Sequence, residues 1–291
     1  MALRVDHFAV AVRSIDETLE LYSRYLPLRP NVAVRPGYSG DFRWCDAYLG
    51  HVKIELIESA RPGSFVERFL DRRGEGLHHL TFETDAIAPL LREMEAAGVR
   101  IVDRFDAGGG HETAFVSPRS AHGMLLQLWQ VPEVTPPPAE MTPSIVAFPG
   151  VDARMRFDHL SAAVTDIPSA LAFFHRWFPI ARESPRHPGY AGDFELVQFD
   201  IRDFRLELVA DLGGASFVRR FLAKRGEGFH HLSIDVDALD PVLERMEADG
   251  IRIVDRADLG NGYRTAFVSP RSAHGVLIQF WQVPSLESPS W

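Results

Sequence analysis

Apolar positions along this chain alternate with two periods, one suited to strands and one to helices, and the same order of periods returns. Residues 5–12 and 77–83 are short apolar runs of strand length. Each is followed by a helical pattern. Ser14 and Glu17 form a capping box ahead of Ile15, Leu19 and Tyr22 at helical spacing. A second helix is predicted to start at Asp85, to carry Ile87, Leu90, Leu91 and Met94 on one face, and to stop at Gly98. Strand-like runs then close each stretch: 42–49 with 52–57, and 113–116 with 124–129. The order is β-α-β-β-β, with a short helix near residues 64–72 joining one such module to the next.

The pattern recurs because the sequence itself recurs. TAFVSPRSAHG at 113–123 returns unchanged at 265–275, GEGLHH at 74–79 returns as GEGFHH at 226–231, and PGYSGDF at 36–42 returns as PGYAGDF at 188–194. The offset is 152 residues each time and needs no gap, so the chain is a duplicated domain. A fainter offset of 72 residues inside each half makes four modules. Such modules are expected to pair into curved, mixed sheets, cup-shaped within and covered by helices outside. The expected boundaries are a first domain at 1–132, a linker at 133–154 and a second domain at 155–291. Around the linker stand Pro132, Pro136, Pro137, Pro138, Pro143 and Pro149, which predict a stiff, semi-extended, exposed segment.

Composition narrows the class. A chain of 291 residues suits two ordinary domains, each able to bury a core. The formal net charge of −9 argues against a nucleic-acid partner, which calls for a basic face. No apolar run approaches membrane-spanning length and no signal-like stretch opens the chain, so a cytoplasmic protein with no membrane partner is expected. Cys45 is the single cysteine, which leaves no thiolate cluster and no internal disulfide.

The chemistry lies in a spacing. His7, His79, His159 and His231 each stand 48 positions before a Glu or Gln, namely Glu55, Gln127, Glu207 and Gln279. Each module thus offers two candidate metal ligands, and a pair of modules offers four. In strands, His7 shares a face with Val5 and Ala9, Glu55 with Lys53 and Ile57, and Gln127 with Leu125 and Trp129. A polar group buried there is costly unless paired or coordinated. The expected sets are His7, Glu55, His79 and Gln127, then His159, Glu207, His231 and Gln279. Two imidazoles, a carboxylate and an amide oxygen suit divalent Mn, Fe, Co, Ni or Zn. His78 and His230 are repeated too, but alternation turns them to the opposite face, as structural residues.

These residues and the module order resemble the vicinal oxygen chelate superfamily, which includes glyoxalase I, methylmalonyl-CoA epimerase, extradiol dioxygenases and bleomycin-resistance proteins. The resemblance spans nearly the whole chain. It implies an α+β fold of four βαβββ modules in two tandem domains, a divalent metal ion, and a small-molecule substrate with a carbonyl, a carboxylate or vicinal oxygens. Residues 74–80, 117–128 and 269–280 are locally most like the epimerase. There is one departure. The epimerase orders its ligands His, Gln, His, Glu, whereas here the order is His, Glu, His, Gln. The carboxylate has moved to the partner module, which makes Glu55 and Glu207 the candidate catalytic bases.

The resemblance implies a metal-dependent epimerase, isomerase or lyase acting by proton transfer beside a chelated carbonyl. The alternatives are a non-haem Fe(II) dioxygenase and a non-catalytic binding or resistance protein. A homodimer is compatible with either. Asp41 and Asp193 are candidates for a second base or for turn residues. Asp46, opposite Gln198 in the repeat, can serve only one site. Arg119, Arg271, His122 and His274 in the repeated SPRSAHG are candidates for substrate contact or for a surface loop. The halves also differ at Trp44 and Leu196, Lys53 and Arg205, and His111 and Tyr263.

Overall fold

The computed structural model describes residues 2–135 and 144–287. In the first half, β1 (Leu3–Ala11), α1 (Ile15–Tyr25), β2 (Leu28–Pro36), β3 (Phe42–Leu49) and β4 (Val52–Ser59) make one βαβββ module. Helix α2 (Phe65–Arg73) leads to the next: β5 (Gly76–Thr84), α3 (Ile87–Ala96), β6 (Ile101–Gly108), β7 (His111–Val116) and β8 (Leu126–Gln130). Strand β9 (Ile145–Ala147) precedes the second half. Its third module holds β10 (Arg154–Ala163), α4 (Ile167–Trp177), β11 (Ile180–Glu183), β12 (His187–Pro188), β13 (Phe194–Ile201) and β14 (Phe204–Asp211). After α5 (Phe217–Arg225) come β15 (Gly228–Val236), α6 (Leu239–Ala248), β16 (Ile253–Gly260), β17 (Tyr263–Val268) and β18 (Leu277–Gln282).

The first half forms an eight-stranded sheet in the order β2-β3-β4-β1-β5-β8-β7-β6. The second repeats it as β11-β13-β14-β10-β15-β18-β17-β16, with β12 and β9 added at β13 and β10. Both sheets are mixed: β5 runs parallel to β8, whereas β3 and β4 are antiparallel. The first strands of paired modules lie side by side at the centre, flanked by the last strands. The edges β2 and β6 are largely exposed and carry register shifts, and β2 also carries Pro30 and Pro36, which discourage edge-to-edge pairing.

Local signals place the helices. Ser14 accepts from the Glu17 amide at 3.2 Å, as the capping box predicts. Ser64 and Ser216 cap α2 and α5 in the same way. Helix α3 begins at Ile87 rather than Asp85, and its cap residue Ala86 has no side-chain acceptor. The first-turn amide of Ile87 is instead taken by Oε1 of Gln130, 2.9 Å away and 43 residues on. Gln282 does the same for Leu239, also at 2.9 Å, and Glu58 accepts from Ile15 at 2.7 Å. Three helices are therefore capped from a strand end, by tertiary contact.

The expected linker is only partly an exposed strap. Pro136, Pro137, Pro138 and Pro143 lie outside the described residues. Just after them β9 pairs antiparallel with β10, and Phe148 is buried against the ring of Phe280, with centroids 6.1 Å apart. The segment gains backbone hydrogen bonds and an apolar anchor there, which an exposed path would forgo.

Packing divides the chain into two compact units, and each takes a module from either half. One joins His79–Pro136 to His159–His230, and the other joins Phe8–His78 to His231–Trp291. Within each unit the repeated SPRSAHG turn of one half meets the GEG turn of the other. At Gly123 (φ +77) an added Cβ would lie 2.0 Å from the Glu227 carbonyl oxygen, and at Gly275 (φ +79) 1.8 Å from that of Glu75. Only glycine lets the backbones approach this closely in a left-handed conformation. Around the second joint, Tyr22 donates to the Ala273 carbonyl at 3.2 Å and His274 Nδ1 lies 3.3 Å from Glu75.

Gly123→Ala and Gly275→Ala are expected to destabilise by about 2 kcal/mol or more each, combining strained φ with backbone overlap. Gly98→Ala, at φ +81 but in open space, should cost about 1 kcal/mol. Denaturant melts of the three variants check this ordering. Equal losses would show that the close approach contributes nothing.

Candidate metal centres

Each candidate site is built on the four central strands of one sheet. In the first, His7 comes from β1, Glu55 from β4, His79 from β5 and Gln127 from β8. In the second, His159 comes from β10, Glu207 from β14, His231 from β15 and Gln279 from β18. The sheet order β4-β1-β5-β8 makes neighbours of residues up to 72 positions apart. One ligand atom from each of His7, Glu55 and His79 lies within 4.8 Å of the others, and the same holds for His159, Glu207 and His231. All but Glu55 are buried. Donors on a common ion at about 2.1 Å would stand at most about 4.2 Å apart, so small side-chain movements would close each cluster on a cation.

In the first site the His7 ring lies edge-on to His79, with centroids 5.6 Å apart. Its Nδ1 is 2.7 Å from Asp6 Oδ2, and Asp6 in turn pairs with Arg4 at 3.1 Å. A carboxylate behind an imidazole fixes the ring and aims its other nitrogen, an arrangement typical of metal-binding histidines. That other nitrogen, Nε2, is 2.9 Å from the Thr81 hydroxyl. Thr81 also donates to Gln127 Oε1 at 2.7 Å, and Gln127 Nε2 donates to Thr113 at 2.9 Å. Gln127 is thus brought to the site through Thr81, its partner in the β5–β8 register. In this arrangement its carbonyl oxygen is occupied by a hydroxyl proton.

The second site is wired differently. Glu207 Oε1 accepts from Ser161 at 3.0 Å and Oε2 from Gln198 at 3.1 Å. His159 Nε2 is 3.4 Å from Glu207 Oε1, and Gln198 Nε2 lies 3.3 Å from His159 Nδ1. An amide donor at Nδ1 calls for the Nε2–H tautomer, whose proton points at the carboxylate. A divalent cation would take the place of that proton. Gln279 Nε2 donates to Thr265 at 3.1 Å, as Gln127 does to Thr113.

The pattern reading missed Thr81 and Ser161, and met Gln198 only as the counterpart of Asp46 in the repeat. Thr81 and Ser161 stand two positions after His79 and His159, so strand alternation puts them on the ligand face, and that signal was available. Gln198 is found at the site only through the β13–β14 register, which sets it opposite Glu207. By the matching β3–β4 register Asp46 stands opposite Glu55.

Other candidates have packing roles. His78 is wedged against Phe65 and Phe69, with centroids 5.8 and 4.6 Å away, and His230 against Phe217 and Phe221 at 5.3 and 4.7 Å. Desolvation lowers both imidazoles to a pKa of about 4, so they are neutral near pH 7. His274 lies at the joint on Glu75, and His122 Nδ1 is 3.9 Å from Glu227, so both serve the joints. Asp41 is held by Arg61 at 2.7 Å, as a turn residue would be. In the second half Gly213 stands at the position of Arg61, and Asp193 Oδ1 is buried without a hydrogen-bond partner among the described residues. Burial pushes the Cys45 thiol up to about 12, which removes it as a thiolate ligand.

The neutral pair His78 and His230 predicts an acid response. Their folded pKa lies below the unfolded value of 6.5, so the unfolded state binds more protons between pH 6.5 and about 4. Stability should fall as pH drops through that window, by up to about 3 kcal/mol per histidine. The double variant His78→Leu/His230→Leu is expected to flatten the slope in chelator-treated protein. An unchanged slope would place the response elsewhere.

Residues 6–115 and 158–267 each match the Glyoxalase/Bleomycin resistance protein/Dioxygenase superfamily. The uncharacterised protein YqjC of Bacillus subtilis is 34% identical over 131 residues, covering 43% of this chain and 90% of that protein. The mitochondrial methylmalonyl-CoA epimerase of Dictyostelium discoideum is 29% identical over 131 residues, covering 43% of this chain and 76% of the epimerase. A substituted 4-hydroxymandelate synthase from Streptomyces coelicolor superposes with a TM-score of 0.63 over 96% of this chain and 92% of its own, at 16% identity. That last likeness is one of fold. Two tandem matches, each on one mixed sheet, establish that the chain belongs to the Glyoxalase/Bleomycin resistance protein/Dioxygenase superfamily, the vicinal oxygen chelate proteins.

Proposed function

We propose that this protein is a divalent-metal-dependent enzyme that moves a proton next to a metal-chelated carbonyl, as an epimerase, isomerase or lyase. The observation that carries the reading is the convergence of two imidazoles and one carboxylate within 4.8 Å, twice, on central strands. A buried carboxylate such as Glu207, set beside an imidazole, is costly to retain without a cation or a reaction to serve. The donor set fits Mn, Fe, Co, Ni or Zn, with Gln127 as an amide ligand once its carbonyl oxygen turns from the Thr81 hydroxyl, and Gln279 as its counterpart. A bound divalent ion would polarise a substrate carbonyl and stabilise the enolate left by proton loss.

The residues of the chain supply the rest. Glu55 or Glu207 takes the proton from the carbon beside the carbonyl and returns it to the same or the neighbouring carbon. Asp6 holds the His7 ring in place throughout. The partly apolar surroundings, with Phe115 edge-on to His79 at 5.7 Å and Phe267 to His231 at 5.7 Å, limit water at the site. The likeness to a protein named as a methylmalonyl-CoA epimerase supports proton transfer as the chemistry. Among the described residues no helix is long and apolar enough to cross a membrane, which suits a small-molecule substrate taken from solution.

A second reading is a non-haem Fe(II) dioxygenase, favoured by the same inventory of two His and one carboxylate. Elemental analysis of protein prepared without added metal separates the two. About two equivalents of cobalt, manganese, nickel or zinc are expected, one lost in Glu55→Ala and one in Glu207→Ala. Exchange of solvent deuterium into 2-substituted 1,3-dicarbonyl thioesters, methylmalonyl-CoA among them, should fall about 100-fold or more in Glu55→Gln/Glu207→Gln. Iron alone, with oxygen consumption, would move the assignment to the dioxygenase. No metal, and none taken up on titration, would leave a binding protein.

A further inference from the structure

Resting on the metal-site reading above, we infer that the two centres are unequal cation sites, the first tighter than the second. The determinant is Asp46, which faces Glu55 where the second half has Gln198 facing Glu207. The two positions are equivalent in the repeat and in register: Asp46 opposes Glu55 across β3 and β4, and Gln198 opposes Glu207 across β13 and β14. The second pair shows that side chains at these positions meet, because Gln198 Nε2 lies 3.1 Å from Glu207 Oε2.

The substitution changes both charge and donor character. At the second centre both Glu207 oxygens accept hydrogen bonds, from Ser161 and from Gln198. Those donors draw on lone pairs that a cation would use. At the first centre the equivalents are Ala9, which has no donor, and Asp46, an acceptor when ionised. The first centre thus gains a buried carboxylate, 6% exposed, opposite Glu55, where the second has a neutral amide. Extra negative charge at short range in a partly desolvated site strengthens the hold on a divalent ion.

Asp46 is itself kept in place. Asn31 Nδ2 donates to its Oδ1 at 2.9 Å, and Lys53 Nζ stands 3.8 Å from Oδ2. Lys53 moderates the charge from the edge of ion-pair range. Its equivalent Arg205 is turned to Asp200 at 3.0 Å, and Arg182 shares that carboxylate at 2.6 Å, so the second half gathers two cations around one acid beside the site. Both differences point the same way. Asp46 is a positioning residue that acts through the cation held by Glu55.

The test is a Co²⁺ titration of metal-stripped full-length protein, followed by calorimetry and visible absorbance. Two steps separated by about tenfold or more in Kd are expected, a gap of about 1.4 kcal/mol. Glu55→Gln should remove the tighter step and Glu207→Gln the weaker one. Asp46→Asn should weaken the tighter step about tenfold, with Asp46→Glu restoring it. Gln198→Asp should tighten the weaker step, a gain that a purely structural role for this position would not produce. It also keeps the test open should Asp46→Asn fail to fold. Two equal steps, or Asp46→Asn and Gln198→Asp both leaving the curve unchanged, would overturn the inference while leaving the metal reading intact. No uptake at all would overturn both.

Discussion

The pairing of β1 with β5, and of β10 with β15, is the contact on which both centres depend. Each of these strands opens its module and carries a histidine. Setting them side by side puts two imidazoles in reach of one point, with rings 5.6 Å apart in the first half. The last strand of each module then flanks its own first strand and delivers a carboxylate on one side and an amide on the other. A slip of one residue in any of these registers would turn a ligand to the opposite face. The apolar residues between the ligands, fully buried in β1, β5, β10 and β15, hold the register against that slip.

The segments that repeat most faithfully turn out to be joints. SPRSAHG and GEG are kept because two backbones must pass within reach of a carbonyl oxygen at Gly123 and at Gly275, where no side chain fits. His122 and His274, which as sequence could equally contact a substrate, face glutamates at those joints. Steric demand at a close backbone approach preserves residues as strictly as chemistry does. The joints also explain why the packing units cross the halves of the chain, each unit taking one turn from either copy.

Among the differences between the copies, two fall beside the carboxylates. Ala9 against Ser161 and Asp46 against Gln198 change what surrounds Glu55 and Glu207 while leaving the ligands alone. The strand scaffold tolerates this because each exchange sits on the ligand face, where polar partners rather than packing set the fit. Duplicated folds can in this way keep one coordination inventory and diverge in the strength with which each copy uses it.

How much was legible follows from which constraints are local. The offsets of 152, 72 and 48 residues, read from the chain alone, set four modules and all eight candidate ligands, because a duplicated backbone must place duplicated residues alike. Helix α1 and its cap were legible for the same reason, being a contact between Ser14 and Glu17. Alternation also placed His78 and His230 away from the ligands, and they lie in aromatic cages. What the sequence could not disclose are contacts across strands and between modules. The caps from Gln130, Gln282 and Glu58, the burial of Phe148, the hold of Gln198 on Glu207 and the joint roles of His122 and His274 depend on register and docking. Those are decided when distant segments compete for the same buried space, and no local period in the chain encodes the outcome.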